Sequence, residues 1–322
     1  MIEVLDPQAR ANPDDSAGPG SAATADLFEQ PVPRRFVHRA SVAEVLLTGF
    51  TADTRPNTYL LAAQWPRGHS FYRTMGGLHD PLLFAETLRQ AGLMIGHMGY
   101  GVPFENKYVL KSLAYDISFA GLACDGTPSN MILEAEIVEP KFRKETLVGF
   151  KQALKLRRGL RVVGVGELET VVVTPAAYKR LRNAPADRPA GPRELPEPVS
   201  PGLVGKTSAA DVVLSPTGRE NQWTVRADTE HPVLFDHPVD HLPGMVIMEA
   251  IRQAAHNVLN PVHTVLTDLA AEFEHFAELD EPVEVRAVRQ PDWTGSDLRV
   301  TVELTQGGRR IASGCCTCRA VY

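Results

Sequence analysis

Gly244-Met-Val-Ile-Met-Glu-Ala-Ile-Arg-Gln-Ala-Ala-His-Asn-Val-Leu259 contains no proline and is apolar on nearly every face. Its length selects helix over strand, and a helix that is apolar almost all round is a buried one. It is too short and too charged to span a bilayer. The stretch PLLFAETLRQAGLMIGHM at 81–98 reads the same way, with Asp80 as a cap ahead of proline at the first helical position. Each rod carries only two charged side chains, Glu86 and Arg89 in the first, Glu249 and Arg252 in the second. A glutamine follows each arginine, Gln90 and Gln253. Residues at i, i+3 and i+4 share one helix face, so each Glu-x-x-Arg-Gln forms one polar stripe on a greasy rod.

The similarity extends outward from the helices. Phe-Val-His-Arg-Ala-Ser at 36–41 leads into Glu-Val-Leu-Leu-Thr at 44–48, and Leu-Val-Gly-Lys-Thr-Ser at 203–208 leads into Asp-Val-Val-Leu-Ser at 211–215. Short strand-like runs follow, Thr58–Gln64 and Gln222–Asp228. The offset between the copies is 167 at the first match and 163 at the helices, as a duplicated domain with one small indel would give. Strand patterns come after each helix: Tyr108–Phe119, Asn130–Val138 and Val162–Val173 in the first copy; Val265–Phe276, Val283–Val288, Leu298–Leu304 and Arg310–Val321 in the second. One long buried helix among antiparallel strands predicts an α+β fold, with the sheet wrapped round the helix. The copies are then expected to pack as a pseudo-dimer within one chain.

Composition sets the boundaries. The chain has 322 residues, 43% apolar and 22% charged, with a formal charge of −6. That argues against nucleic acid as a partner, since phosphate backbones need a basic footprint. Four cysteines make no disulfide framework, and no N-terminal stretch reads as a signal peptide, so a cytoplasmic protein is expected. Residues 1–33 read as a disordered arm, since 8–26 lack large apolar residues. Residues 185–201 hold six prolines and read as a linker. The repeats are therefore expected at 34–184 and 202–322.

The helices also frame the chemistry. A carboxylate and a guanidinium buried on a greasy rod are either a structural ion pair fixing how the halves meet, or a polar pocket at their interface with Glu as base or orienter and Arg as anion holder. Ahead of the second helix lie His231, Asp236, His237, Asp240 and His241, ending in Pro243-Gly244. Acid–base or orienting work suits them better than a metal, because the first copy keeps only His69 and His79. The N–H groups at Gly244 suit a carbonyl oxygen that develops negative charge. Residues 141–161, with eight basic side chains, offer either a carrier-protein dock or a solvated sheet face. Cys315, Cys316 and Cys318 read as packing residues.

The segment Phe235-Asp-His-Pro-Val-Asp-His-Leu-Pro-Gly-Met-Val-Ile-Met-Glu-Ala-Ile-Arg-Gln-Ala-Ala255 resembles the signature of the A-factor-type γ-butyrolactone synthase family. So does His79-Asp-Pro-Leu-Leu-Phe-Ala-Glu-Thr-Leu-Arg-Gln-Ala91, followed by His97, Gly101-Val-Pro103 and the Tyr178-Lys-Arg-Leu-Arg182 ending. The resemblance implies a tandem hotdog fold. It also implies transfer of a β-ketoacyl group from acyl carrier protein to the hydroxyl of dihydroxyacetone phosphate, the first committed step toward a γ-butyrolactone-type hormone. No cofactor, metal or membrane is implied. Glu249, Arg252, Glu86 and Arg89 are then the expected catalytic residues, the carboxylates accepting a proton if burial raises their pKa. His241, Asp240, His237, Gln253 and Gln90 support them, and Gly244 offers the carbonyl site. Glu249→Gln and Arg252→Ala are expected to abolish transfer without unfolding the chain. A hotdog thioesterase or dehydratase, and a non-catalytic lactone-binding regulator, are the alternatives. The Pro-Gly-(x)4-Glu-Ala core resembles that of hotdog dehydratases, but the upstream His spacing differs.

Overall fold

The computed structural model describes residues 26–182, 194–291 and 297–321. Thirteen strands form one sheet. In the first half they are β1 (Leu47–Ala52), β2 (Thr58–Trp65), β3 (Lys107–Ile117), β4 (Ser129–Ile137), β5 (Lys141–Arg143), β6 (Thr146–Arg158) and β7 (Arg161–Val173). The second half has β8 (Leu214–Pro216), β9 (Gln222–Val225), β10 (Thr264–Phe273), β11 (Glu284–Arg289), β12 (Asp297–Gln306) and β13 (Arg309–Ala320). The main path runs β1-β2-β4-β6-β7-β3-β10-β13-β12-β11-β9-β8, with β5 on the side of β6. The order reads the same from either end, as the repeat requires, and antiparallel pairing of β3 with β10 joins the halves. This is a tandem hotdog.

The two greasy rods are α1 (Leu82–Met94), continued by a wider turn at Ile95–Gly99, and α3 (Gly244–Leu259). Asp80 caps α1 by accepting the Leu82 N–H at 2.9 Å. Contact with the sheet is close at the same point in both copies. A Cβ at Gly166 would lie 2.6 Å from Leu88, and one at Gly314 would lie 2.8 Å from Ile251. A short helix, α2 (Pro175–Arg182), closes the first half.

Several expectations need adjustment. Residues 1–25, most of the expected arm, and 183–193, most of the expected linker, lie outside the described residues. What remains of both segments is built into the repeats. The Val32 N–H donates to the Leu47 carbonyl at 2.9 Å, and the Val199 N–H donates to the Leu214 carbonyl at the same distance. Both valines are buried, so hydrogen bonding and burial carry each copy upstream of residues 34 and 202. The basic stretch 141–161 is the β5–β6 hairpin and the turn into β7. Its Lys141, Lys151, Arg157 and Arg158 pair with Glu169, Glu139, Glu134 and Asp125 along the sheet. Cys316 and Cys318 are buried, but alternation turns Cys315 outward. No helix among the described residues is long and apolar enough to cross a membrane.

Asp116 and Asp268 face each other across the join. Burial, then the Asp116 charge, pushes Asp268 up to about 6. A raised carboxyl favours folding while protonated, below about pH 4, and loses that contribution as pH rises through 6. With Asp268 partly solvated, Asp268→Asn is expected to gain about 1 kcal/mol at pH 8. Urea unfolding at the two pH values checks this, with no gain expected at pH 4.

Candidate active site

Each Glu-x-x-Arg-Gln stripe meets the strap of chain that opens its repeat, ahead of the first strand. Gln90 accepts the Leu46 N–H at 2.9 Å and donates to the Glu44 carbonyl at 2.7 Å and to Glu86 at 2.7 Å. Gln253 does the same with Val213, Asp211 and Glu249, at 2.9, 2.9 and 2.6 Å. Each strap also supplies a second cation that sequence reasoning did not assign. Arg39 meets Glu86 at 2.8 Å, where Arg89 also reaches it at 2.8 Å. Lys206 meets Glu249 at 3.3 Å, alongside Arg252. Arg39 and Lys206 are 167 residues apart, and that repeated basic position was the visible signal.

The strap cations cross between halves. Arg39 donates to the Val233 carbonyl at 3.1 Å, and Lys206 to the Phe71 carbonyl at 3.3 Å, with its ammonium over the Phe71 ring. Those carbonyls lie just beyond two matching histidines. His69 accepts from the N–H groups of Phe71 and Tyr72 and pairs with Glu44; His231 accepts from Val233 and Leu234 and pairs with Asp211. His231 therefore belongs to the joint between the halves.

The two carboxylates are held in their ionised form. Desolvation alone would push Glu86 up, but Arg39, Arg89 and the hydrogen bonds to it bring it down to about 2. Glu249, under Arg252, Lys206 and Gln253, is likewise held at about 2. The expected rise on burial is thus reversed, because each acid faces two cations.

Two cations against one acid leave each cluster with a surplus positive charge, and the halves treat it differently. Asp80, at the start of α1, lies near enough to Arg252 and Lys206 to act on both electrostatically. The equivalent position ahead of α3 is Pro243, which brings no charge. Arg252 is 4% exposed at its side chain, whereas Arg89 is 22% exposed and opens into a cleft of about 1090 Å³ between the halves.

That cleft is composite. The first half contributes His38, Arg89, Lys107 and Tyr108; the second contributes Asp236, His237, Asp240, His241 and the first turn of α3 from Gly244. Glu86, Glu249 and Arg252 do not line it. Leu93, Leu110, Leu168, Met245, Ile247 and Phe273 give it a largely apolar wall. Arg89, Lys107 and His237 all act on His38, which burial and then His97 and these neighbours push down to about 3. A cationic corner is the result. The His97 Nδ1–H donates to the Val102 carbonyl at 2.7 Å. Its Nε2 therefore accepts from His38 Nε2 at 2.8 Å, and His38 Nδ1 is left as a lone pair. Nearby, the His241 Nδ1–H donates to Asp240 at 2.7 Å, with the Tyr178 hydroxyl donating to the same carboxylate at 2.8 Å. Arg182 donates to Asp240 and Glu278 and stacks on Phe276, fixing the dyad. In the neutral ring this pairing puts the proton on Nδ1 and the lone pair on Nε2, where it can serve as a base.

Comparison with known proteins agrees with the tandem hotdog fold. The profile of the A-factor biosynthesis hotdog domain matches twice, at residues 21–174 and 188–322. A 2-oxo-3-(phosphooxy)propyl 3-oxoalkanoate synthase of Streptomyces virginiae is 40% identical over 274 residues, covering 84% of this chain and 92% of the relative. A synthase of the same name from Streptomyces griseus is 35% identical over 285 residues, covering 88% and 94%. Among solved structures, the 12:0-ACP thioesterase of Umbellularia californica superposes with a TM-score of 0.51 at 11% identity, covering 81% of this chain and 94% of that one.

Proposed function

The chain belongs to the A-factor biosynthesis hotdog family, and from that premise we propose that it transfers a 3-oxoacyl group from acyl carrier protein to dihydroxyacetone phosphate in the composite cleft. The product is the 2-oxo-3-(phosphooxy)propyl ester named for its relatives, and the reaction is the first step toward a butyrolactone-type hormone. The observation that carries this reading is the surplus cation at Arg89, open to a cleft with a largely apolar wall and a paired histidine.

In this reading the triose phosphate sits against Lys107, His237 and Nη1 of Arg89, the guanidinium nitrogen not engaged by Glu86 or Val37. The free hydroxyl of the triose loses its proton to His241 Nε2 as its oxygen attacks the thioester carbonyl. The N–H groups at the start of α3, near Gly244, stabilise the oxyanion. Attack forms the ester C–O bond; collapse re-forms the carbonyl, breaks the C–S bond and returns the proton from His241 to the departing thiolate. No acyl-enzyme is needed. Glu86, Glu249, Gln90 and Gln253 hold the straps and shape the cleft, and Arg252 takes the same structural part in the closed half.

Purified protein given 3-oxoacyl carrier protein and dihydroxyacetone phosphate should yield the phosphorylated ester by mass spectrometry. Free 3-oxo acid forming at the same rate with and without the triose would favour a thioesterase. Arg89→Ala is expected to raise the KM for dihydroxyacetone phosphate by roughly 10- to 100-fold, the loss of one charge-assisted contact. Initial rates against triose concentration check this.

A further inference from the structure

Two buried polar groups beside the cleft have no use in the fold. Gln152 is 1% exposed, and neither its amide oxygen nor its amide nitrogen has a partner among the described residues. The hydroxyl of Tyr108, a cleft residue, is buried without a partner as well. Leaving such groups unpaired costs more than a made hydrogen bond returns, so they call for a reason.

The repeat shows that folding does not require them. Gly166 and Gly314 meet equivalent helix residues, Leu88 and Ile251. Leu154 lies opposite Gly166, and Val302 opposite Gly314. Two residues back on each strand, Gln152 therefore matches Val300, an ordinary core residue. The facing helix differs in step. A Cβ at Gly92 would lie 3.2 Å from the Gln152 amide oxygen, and one at Gly96 would overlap the Tyr108 hydroxyl. At those two positions α3 carries Ala255 and Leu259. The orphaned polar groups and the glycines that admit them thus occur together, in the half whose arginine opens into the cleft. Gly92, Tyr108 and Leu168, the residue paired with Gln152, all line it.

We infer that Gln152 and Tyr108 form a polar notch that reads the 3-oxo oxygen of the acyl donor, so that the protein selects 3-oxoacyl over saturated chains. This rests on the acyl-transfer reading above. Gly244, at the proposed carbonyl site, packs against Leu110. Tyr108 is two residues along the same strand from Leu110, so the two side chains share one face of the strand. Beyond its thioester, an unbranched 3-oxoacyl chain has one polar atom, an acceptor matched to an amide N–H and a phenol O–H.

The test uses 3-oxooctanoyl and octanoyl pantetheine. Their Kd values are measured by calorimetry without triose, and their kcat/KM values with it. The wild type should favour the 3-oxo compound by roughly 30-fold in both measures. Gln152→Leu, an apolar replacement of similar shape, should reduce that preference to about threefold or less. It should also raise the unfolding temperature, because an orphaned amide is removed. Tyr108→Phe should move the preference the same way and serves if Gln152→Leu folds poorly. A wild-type preference that both variants retain, or no preference in the wild type, overturns the notch. Absence of turnover with both donors would instead refute the transfer reading, while the Kd ratio would still judge Gln152.

Discussion

His241→Gln is expected to lower kcat by about 10²- to 10⁴-fold while the KM for the triose changes little. The range is that of a lost general base. Glutamine keeps the size and a donor toward Asp240 but has no basic nitrogen. The side chain of His241 is 29% exposed, is bonded to Asp240 and Tyr178 and meets the Phe276 ring edge-on, so the fold should change little. Single-turnover rates together with an unchanged thermal melt would check both halves of this expectation. Asp240→Asn should cost less, because it weakens the orientation and basicity of the imidazole without removing it.

Glu249→Gln has the other large effect, and it falls on stability. The carboxylate is fully buried between Arg252 and Lys206 and is also bonded to Gln253. Neutralising it leaves two buried cations facing each other, with Asp80 acting on them from the start of α1. Breaking a buried pair from one side costs about 3–5 kcal/mol, which should appear as a much lower urea midpoint. The sequence alone led to the opposite expectation, loss of transfer with the fold intact. Where the variant remains folded, at low temperature, transfer should persist, because Glu249 does not line the cleft.

The comparison of these two residues shows what was legible. The helices, the repeat and the Glu-x-x-Arg-Gln stripes follow from spacing alone, since i, i+3 and i+4 meet on any helix. The function of the stripe was hidden because its partners are distant in sequence. Arg39 lies 47 residues before Glu86, and the strap that carries it becomes a neighbour only when it crosses the helix. Strand β6 was hidden as well. Its basic residues alternate outward, where Arg157 pairs with Glu134 on β4 and Lys151 with Glu139 in the turn after β4, and the run reads as a charged patch. Choosing between Arg89 and Arg252 required knowing that the start of each helix faces the cation cluster of the other half. Only then is Asp80 seen to act on Arg252 and Lys206, while Pro243 brings no charge to the matching place in the other half. The fuller His/Asp set favoured the second half, yet the cleft takes its arginine from the first half and His241 from the second.

A crystal structure of the protein with dihydroxyacetone phosphate bears most directly on the central claim. The phosphate is predicted within hydrogen-bond distance of Arg89, with the free hydroxyl of the triose turned toward His241. A phosphate bound on the Arg252 side, or on the outer surface away from both histidine-bearing walls, would contradict it.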